Sequence, residues 1–150
     1  MREGVTAPSH LPASHLDLLR RPICGVLTTV AADGQPHSSL VWVDTDGECA
    51  SLNTTLERRQ GQAMRANPKV SLLVVDPENT NRYLQIQGDA ELVTEGALDH
   101  LDALTRRYTG HLRFYGFVYP VEQRARETRV IARIHARRIS LDAIHVSDHE

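Results

Sequence analysis

Residues 53–70 read NTTLERRQGQAMRANPKV, a stretch with three arginines, a single acid in Glu57 and no aspartate. A helix starting here presents free N–H groups and the positive end of its dipole, which together favour an anion. Thr55, Arg58 and Arg59 add donors at that end, and together they resemble a phosphate cradle. A plainer account satisfies the same residues. Thr54 as N-cap with Glu57 three positions later makes a capping box, and the arginines are then a solvated face. Leu56, Gln60, Ala63 and Met64 share one side of that helix, which puts the Gln60 amide among apolar neighbours. It needs a partner there, a ligand or a backbone group.

Other chemistry is sparse. The eight histidines form no compact ligand pattern; His145 and His149 are four apart but in a polar tail, so no metal site is assigned. His37 and His135 fall in strand patterns and read as structural. Cys24 and Cys49 have no C-x-x-C spacing and are expected to be buried small hydrophobes in a reducing compartment. Neither G-x-S-x-G nor a glycine-rich phosphate loop is present, so no acid, base or nucleophile is named, and a protein built this way borrows its chemistry from a cofactor. The segment RYTGHLRFYGFVYP gathers Tyr108, Phe114, Tyr115, Phe117 and Tyr119, either a packed lid or a wall for a planar ring.

The elements that must position these residues follow from hydrophobic period. Residues 14–20, SHLDLLR, suggest a short amphipathic helix capped by Ser14 and closed by Pro22. ICGVLTTV, HSSLVWVD and CASLNT are strands joined by two Asp-Gly turns, an antiparallel meander. A helix is expected at about 56–66. KVSLLVVD is a nearly continuous apolar run that predicts a central strand covered on both faces. YLQIQGDAELV alternates, with Leu84, Ile86, Ala90 and Leu92 inward, and Gly88 marks a bulge or bend. EGALDHLDALTRRY has a helical period and stops at Gly110. RVIARIHARRISL is the last strand, with Val130, Ala132, Ile134 and Ala136 on one face. The sum is a mainly β chain, six antiparallel strands in a barrel with peripheral helices, over 14–142, flanked by a polar lead at 1–13 and a polar tail at 143–150.

Composition agrees with one ordinary globular domain of 150 residues, 41% hydrophobic and 24% charged. A net charge of −2 gives no general attraction for nucleic acid. No apolar run approaches the roughly 18 residues of a membrane span, and MREGVTAPSHLPAS lacks the apolar core of a secretory signal, so a cytoplasmic location is expected.

The order GVLTTVAADGQPHSSLVWVD, NTTLERRQGQAMRANPKVSLLVVDP, RYLQIQGDAELV, RRYTGHLRFYG resembles the pyridoxamine phosphate oxidase-like family of FMN-binding split β-barrels. Within it the order is most similar to the flavin- and deazaflavin-dependent oxidoreductases that use coenzyme F-420. That resemblance implies a homodimer with a cofactor in each of two interface grooves. It implies that the segment Asn53 to Gln60 receives phosphate and ribityl chain. Ser38, Ser39 and the VWV strand would border the ring, and Asn81, Arg82 and Tyr83 would contribute from nearby. Arg126 and Arg129 are placed to reach the cofactor of the partner subunit. The activity implied is hydride transfer to a small or planar unsaturated substrate, with FMN or FAD as alternative cofactors and a non-catalytic flavin or haem binder as the rival from another class. Gln60 departs from the pattern, since many relatives carry a lysine there, and a neutral amide gives up one charge-assisted contact.

Overall fold

The computed structural model describes residues 10–143. Seven strands form one sheet: β1 (Gly25–Val30), β2 (Pro36–Val41), β3 (Val43–Thr45), β4 (Ala50–Thr55), β5 (Lys69–Val75), β6 (Tyr83–Val93) and β7 (Arg129–Leu141). Their spatial order is β2-β1-β5-β6-β7-β4-β3, and every neighbouring pair is antiparallel. The helices are α1 (Asp17–Arg20), α2 (Arg59–Ala66) and α3 (Ala97–Thr109).

The expected six strands are seven because HSSLVWVD is not one strand. It divides at Trp42 into β2 and β3, which lie at opposite ends of the sheet order. One residue separates two strands at opposite edges, so the sheet must curl until those edges meet. The result is a curled half-barrel sheet with an unpaired seam at Trp42. The backbone at the seam is satisfied by a side chain: the Val43 N–H donates to the Tyr108 hydroxyl at 3.0 Å, and that hydroxyl donates to the Ile23 carbonyl at 2.7 Å.

Inside the curl, alternate residues of each strand make the core. Leu27, Leu52, Leu72, Val74, Leu84, Ile86, Ala132 and Ile134 are fully buried, with Leu18 and Leu19 of α1 and Leu11 ahead of it packed onto them. Ser14 does not cap α1. It pairs with His15 Nδ1 at 2.7 Å, and a 3-10 turn at Ala13–His15 precedes the four-residue helix. β5 lies between β1 and β6 as expected of a central strand. Only its inner face is buried; Ser71, Leu73 and Val75 on the outer face are half-buried. Of the two cysteines, Cys49 is buried but Cys24 is exposed, a correction to the expectation for both.

Gly88 marks a bulge as anticipated. Gln87 pairs with Arg138 and Gly88 with Ala136, so Arg137 is the extra residue on β7. A Cβ at Gly88 would lie 2.2 Å from the His135 carbonyl oxygen, which is why the position carries none. α3 runs between Gly96 and Gly110, both left-handed, and buries Ala97, Leu101, Leu104 and Thr105. Among the described residues no helix is long and apolar enough to cross a membrane.

α2 starts at Arg59, three residues later than the pattern suggested, and the capping box does not form. Thr54 remains in β4 with its side chain inside the barrel. Thr55 Oγ1 accepts from the Arg58 N–H at 3.0 Å. Glu57 turns the other way and accepts from the N–H and hydroxyl of Thr128 at 2.8 and 2.9 Å. Sheet pairing with β7 outcompetes the local cap, because Thr54 and Thr55 each complete a ladder position opposite Val130 and Arg129.

Candidate functional site

The end of β4 lies beside the start of β7, and this corner brings Asn53 and Arg129 to a cleft of about 220 Å³. Trp42 at the seam, Arg58 and Gln60 at the start of α2, and Phe114 and Tyr119 from the loop after α3 complete its working surface. The aromatic segment is therefore a wall of this cleft as well as packing. Phe114 meets Trp42 edge-on at 6.3 Å and Tyr119 at a tilt of 38° at 5.1 Å.

Arg129 is the fixed point. Its side chain is 4% exposed, and its donors go to the Tyr115 hydroxyl at 2.9 Å, Glu127 Oε1 at 3.0 Å and Asn53 Oδ1 at 3.3 Å. Its guanidinium stacks over Phe114 at 4.7 Å. The Tyr115 hydroxyl donates to the same Glu127 oxygen at 2.5 Å. A buried cation is tolerated only when paired and bonded in this way. Burial pushes the Glu127 carboxyl up, but the Tyr115 hydrogen bond, Arg129, Gln123 and Arg58 together carry it below its ordinary value, so it is ionised. Burial and the bond to Glu127 raise the Tyr115 phenol.

Asn53 is saturated by the protein. Its Nδ2 donates to the Ala97 carbonyl at 2.8 Å and to His100 Nδ1 at 3.1 Å. Burial lowers the His100 value, which agrees with a neutral ring whose Nδ1 accepts. Asn53 thus ties β4 to α3 and steadies Arg129, and does not present its amide to a ligand.

Arg58 differs. Its side chain is 41% exposed, its nearest carboxylate oxygen, Glu127 Oε2, is 3.9 Å away, and its guanidinium lies over Tyr119 at 5.6 Å. That separation is beyond a hydrogen bond. Gln60, which needed a partner, finds a side-chain hydroxyl: Nε2 donates to Ser39 Oγ at 2.9 Å.

The other residues singled out from sequence lie elsewhere in the single chain. Ser38 faces outward and bonds Thr28 across the sheet at 2.9 Å. Thr54 Oγ1 is buried without a partner. Arg59 is exposed outside the cleft lining. Arg82 is committed to Asp17 and Asp76 at 2.6 and 3.0 Å, Tyr83 gives its N–H to Asp142, and Asn81 is exposed beside them. Arg126 is exposed, whereas Arg129 serves its own chain's cleft. Glu127 and Tyr115 were not singled out as a pair. Among the described residues no cluster of histidine, cysteine and acid side chains suits a metal, and His145 and His149 lie outside the described residues.

A larger hollow of about 480 Å³ lies on the outer face of the sheet around the bulge, lined by Thr28, Ser71, Gln87 and Arg138 among others. It has no aromatic wall, and its polar groups are cross-strand neighbours. The smaller cleft combines a half-exposed cation, with no hydrogen bond to a carboxylate, and flat apolar surfaces.

Comparison with known proteins bears on the family and the fold. The family model described as pyridoxamine 5'-phosphate oxidase matches residues 11–141. A pyridoxine/pyridoxamine 5'-phosphate oxidase of Chromobacterium violaceum is 36% identical over 88 residues, 57% of this chain and 40% of that protein. The chain therefore matches well under half the length of that relative. Among solved structures, an F420 reductase is 33% identical with a TM-score of 0.73, covering 87% of this chain and 98% of its own. A conserved hypothetical protein from Mycobacterium tuberculosis is 28% identical with a TM-score of 0.68, covering 97% of this chain and 96% of its own.

Proposed function

The chain belongs to the pyridoxamine 5'-phosphate oxidase family, and on that footing we propose that it is an oxidoreductase that holds the deazaflavin coenzyme F-420 against the Trp42 cleft and serves hydride transfer to a small or planar unsaturated substrate. FMN or FAD is the alternative cofactor on the same surface. The name of the F420 reductase that matches 98% of its own length to this chain favours the deazaflavin.

The observation that carries the reading is Arg58. It is the half-exposed cation of the cleft, held by no hydrogen bond to a carboxylate, whereas Arg129 is fully engaged. Arg58 suits the phosphate, and Trp42, Phe114 and Tyr119 suit one face of a planar ring. Bound, the cofactor supplies the two-electron carrier. The chain supplies position, because hydride transfer requires the reacting carbons to be held at roughly 3 to 3.5 Å. The cleft lining contains no carboxylate, cysteine or histidine; Tyr119, 38% exposed, is the lining side chain with a hydroxyl proton to give.

A volume of about 220 Å³ is below the roughly 300–1,000 Å³ usual for such sites, so one chain builds part of the groove. Leu40 of the lining is 73% exposed, and Phe117 and Val121, close in sequence to the lining residues Val118 and Tyr119, are 52% and 59% exposed. These features support a homodimer in which a second copy supplies the missing wall.

The test is titration of wild type and Arg58→Ala with the deazaflavin coenzyme and with FMN, read from Trp42, the one tryptophan, followed by turnover of reduced coenzyme. Tighter deazaflavin binding, weakened in Arg58→Ala by about 1.5–3 kcal/mol, supports the proposal. Tighter FMN binding moves it to the alternative cofactor. Binding without turnover by any acceptor leaves a flavin carrier, and no binding at all overturns it.

A further inference from the structure

Glu127 touches both cations of the cleft without lining it. Oε1 accepts from Tyr115 and Arg129, while Oε2 faces Arg58 at 3.9 Å and accepts from Gln123 at 3.4 Å. The carboxylate is 8% exposed, so solvent screens its charge poorly. The lining itself carries two charges, Arg58 and Arg129, and Glu127 cancels one of them. Gln60, in the lining of the same cleft, adds none and is spent on Ser39. This chain thus leaves one net positive charge to meet an anion.

We propose that Glu127 is a specificity residue that matches the cleft to a singly charged phosphodiester anchor and disfavours a doubly charged phosphomonoester. A phosphomonoester carries close to two charges above its second pKa of about 6, and a diester carries one. With a net charge of one in the cleft, the second charge of a monoester meets Glu127 across Arg58 instead of a cation. Glu127 also restrains Arg58, since an anion gripped by that guanidinium must compete with the carboxylate behind it. Arg129 cannot take over, because moving it would break its bonds to Tyr115, Asn53 and Glu127 together.

The inference rests on the cleft being the cofactor site. It is tested with three ligands that share one ring and differ in charge: riboflavin, the cyclic phosphodiester of riboflavin, and FMN. Affinities are read from Trp42 at a pH near 8 for wild type, Glu127→Gln and Gln60→Lys, with the deazaflavin coenzyme as a fourth ligand. Each substitution raises the net charge by one, the first in the buried network and the second in the cleft lining. The expected result is a gain in FMN affinity relative to the cyclic diester of roughly fivefold or more in both variants, with riboflavin unchanged. A purely structural role for Glu127 moves all ligands together. Should Glu127→Gln not fold, Gln60→Lys still decides whether charge sets the preference. An unchanged ratio, or FMN undetectable in every variant while the coenzyme binds, overturns the charge inference alone. If neither coenzyme nor flavin binds wild type, the cofactor site itself falls and this inference with it.

Discussion

Tyr108 lies flat against Trp42, with 5.3 Å between ring centroids and 13° between their planes. The stack joins the C-terminal turn of α3 to the residue at which the chain passes from one edge of the sheet to the other. One phenol therefore fixes the ring that walls the cleft and satisfies the backbone beside it. Tyr108→Phe keeps the stack but strands the Val43 N–H and the Ile23 carbonyl. It should lower stability by about 1–3 kcal/mol in urea unfolding while the near-ultraviolet signal of Trp42 persists. Loss of that signal without loss of stability would contradict this division of roles.

Gly61 seats α2 on the end of β4. A Cβ there would lie 1.9 Å from the Thr55 carbonyl oxygen, a backbone atom that cannot swing aside. Gly61→Ala should cost about 3 kcal/mol and displace Arg58 and Gln60 together, weakening anion binding beyond the loss of stability. Native stability in this variant would show that α2 is not seated so closely.

Breaking the Arg129 network should be more costly than removing any exposed pair. Arg129→Ala leaves Glu127 buried and takes a donor from Tyr115 and Asn53, and an expected loss of about 3–5 kcal/mol can be measured by denaturant unfolding. The exposed pair of Arg133 with Asp46 serves as the contrast, at about 1 kcal/mol or less.

Thr54→Val tests whether that hydroxyl serves a ligand or nothing. Its Oγ1 is buried and without a partner, so replacing it with a methyl group should be neutral or stabilise by up to about 1 kcal/mol, with cofactor affinity unchanged. A drop in affinity would restore Thr54 to the site.

Acid should loosen the corner where α1 meets β6. The Asp17 carboxyl is held below its ordinary 3.8 by its hydrogen bond from Arg82, Asp76 by the Glu78 N–H and then Arg82, and Asp142 by His15. Lowered folded values mean that these carboxylates stabilise the fold above pH 3.8, a contribution lost as pH falls through the lowered values. The thermal midpoint should therefore fall with acid below pH 3.8, less steeply in Arg82→Gln than in wild type.

The elements legible in the sequence were those specified locally. β7 follows its alternation from Val130 to Ala136, α3 stops at Gly110, and the bulge sits at Gly88, opposite the extra residue Arg137 that shifts the pattern beyond it. The seventh strand was hidden because Val41 and Val43 keep the inward alternation across Trp42 while the backbone changes partners, and alternation does not say which strand lies alongside. The start of α2 was misplaced for a related reason: TTLE fits a capping box locally, and β7 decides otherwise from far along the chain. Of the residues that line the candidate cleft, Asn53, Arg58 and Gln60 come from one stretch contiguous in sequence. Asn53 and Arg129 stand 76 positions apart, and the charged context around Glu127 looks like any solvated surface, so their meeting leaves no local trace.

β7 lies between β6 and β4, so the strand made last among the described elements is the one that joins the two parts of the sheet. Until it arrives, β6 and β4 each present an open hydrogen-bonding edge, and β4 with β3 has no place in the curl. Completion waits on a distant pairing, which slows folding and leaves adhesive edges exposed in the meantime. The nascent chain should therefore be most prone to aggregate just before residues 129–141 emerge, a window in which stalled translation can be compared with release by measuring how much chain remains soluble.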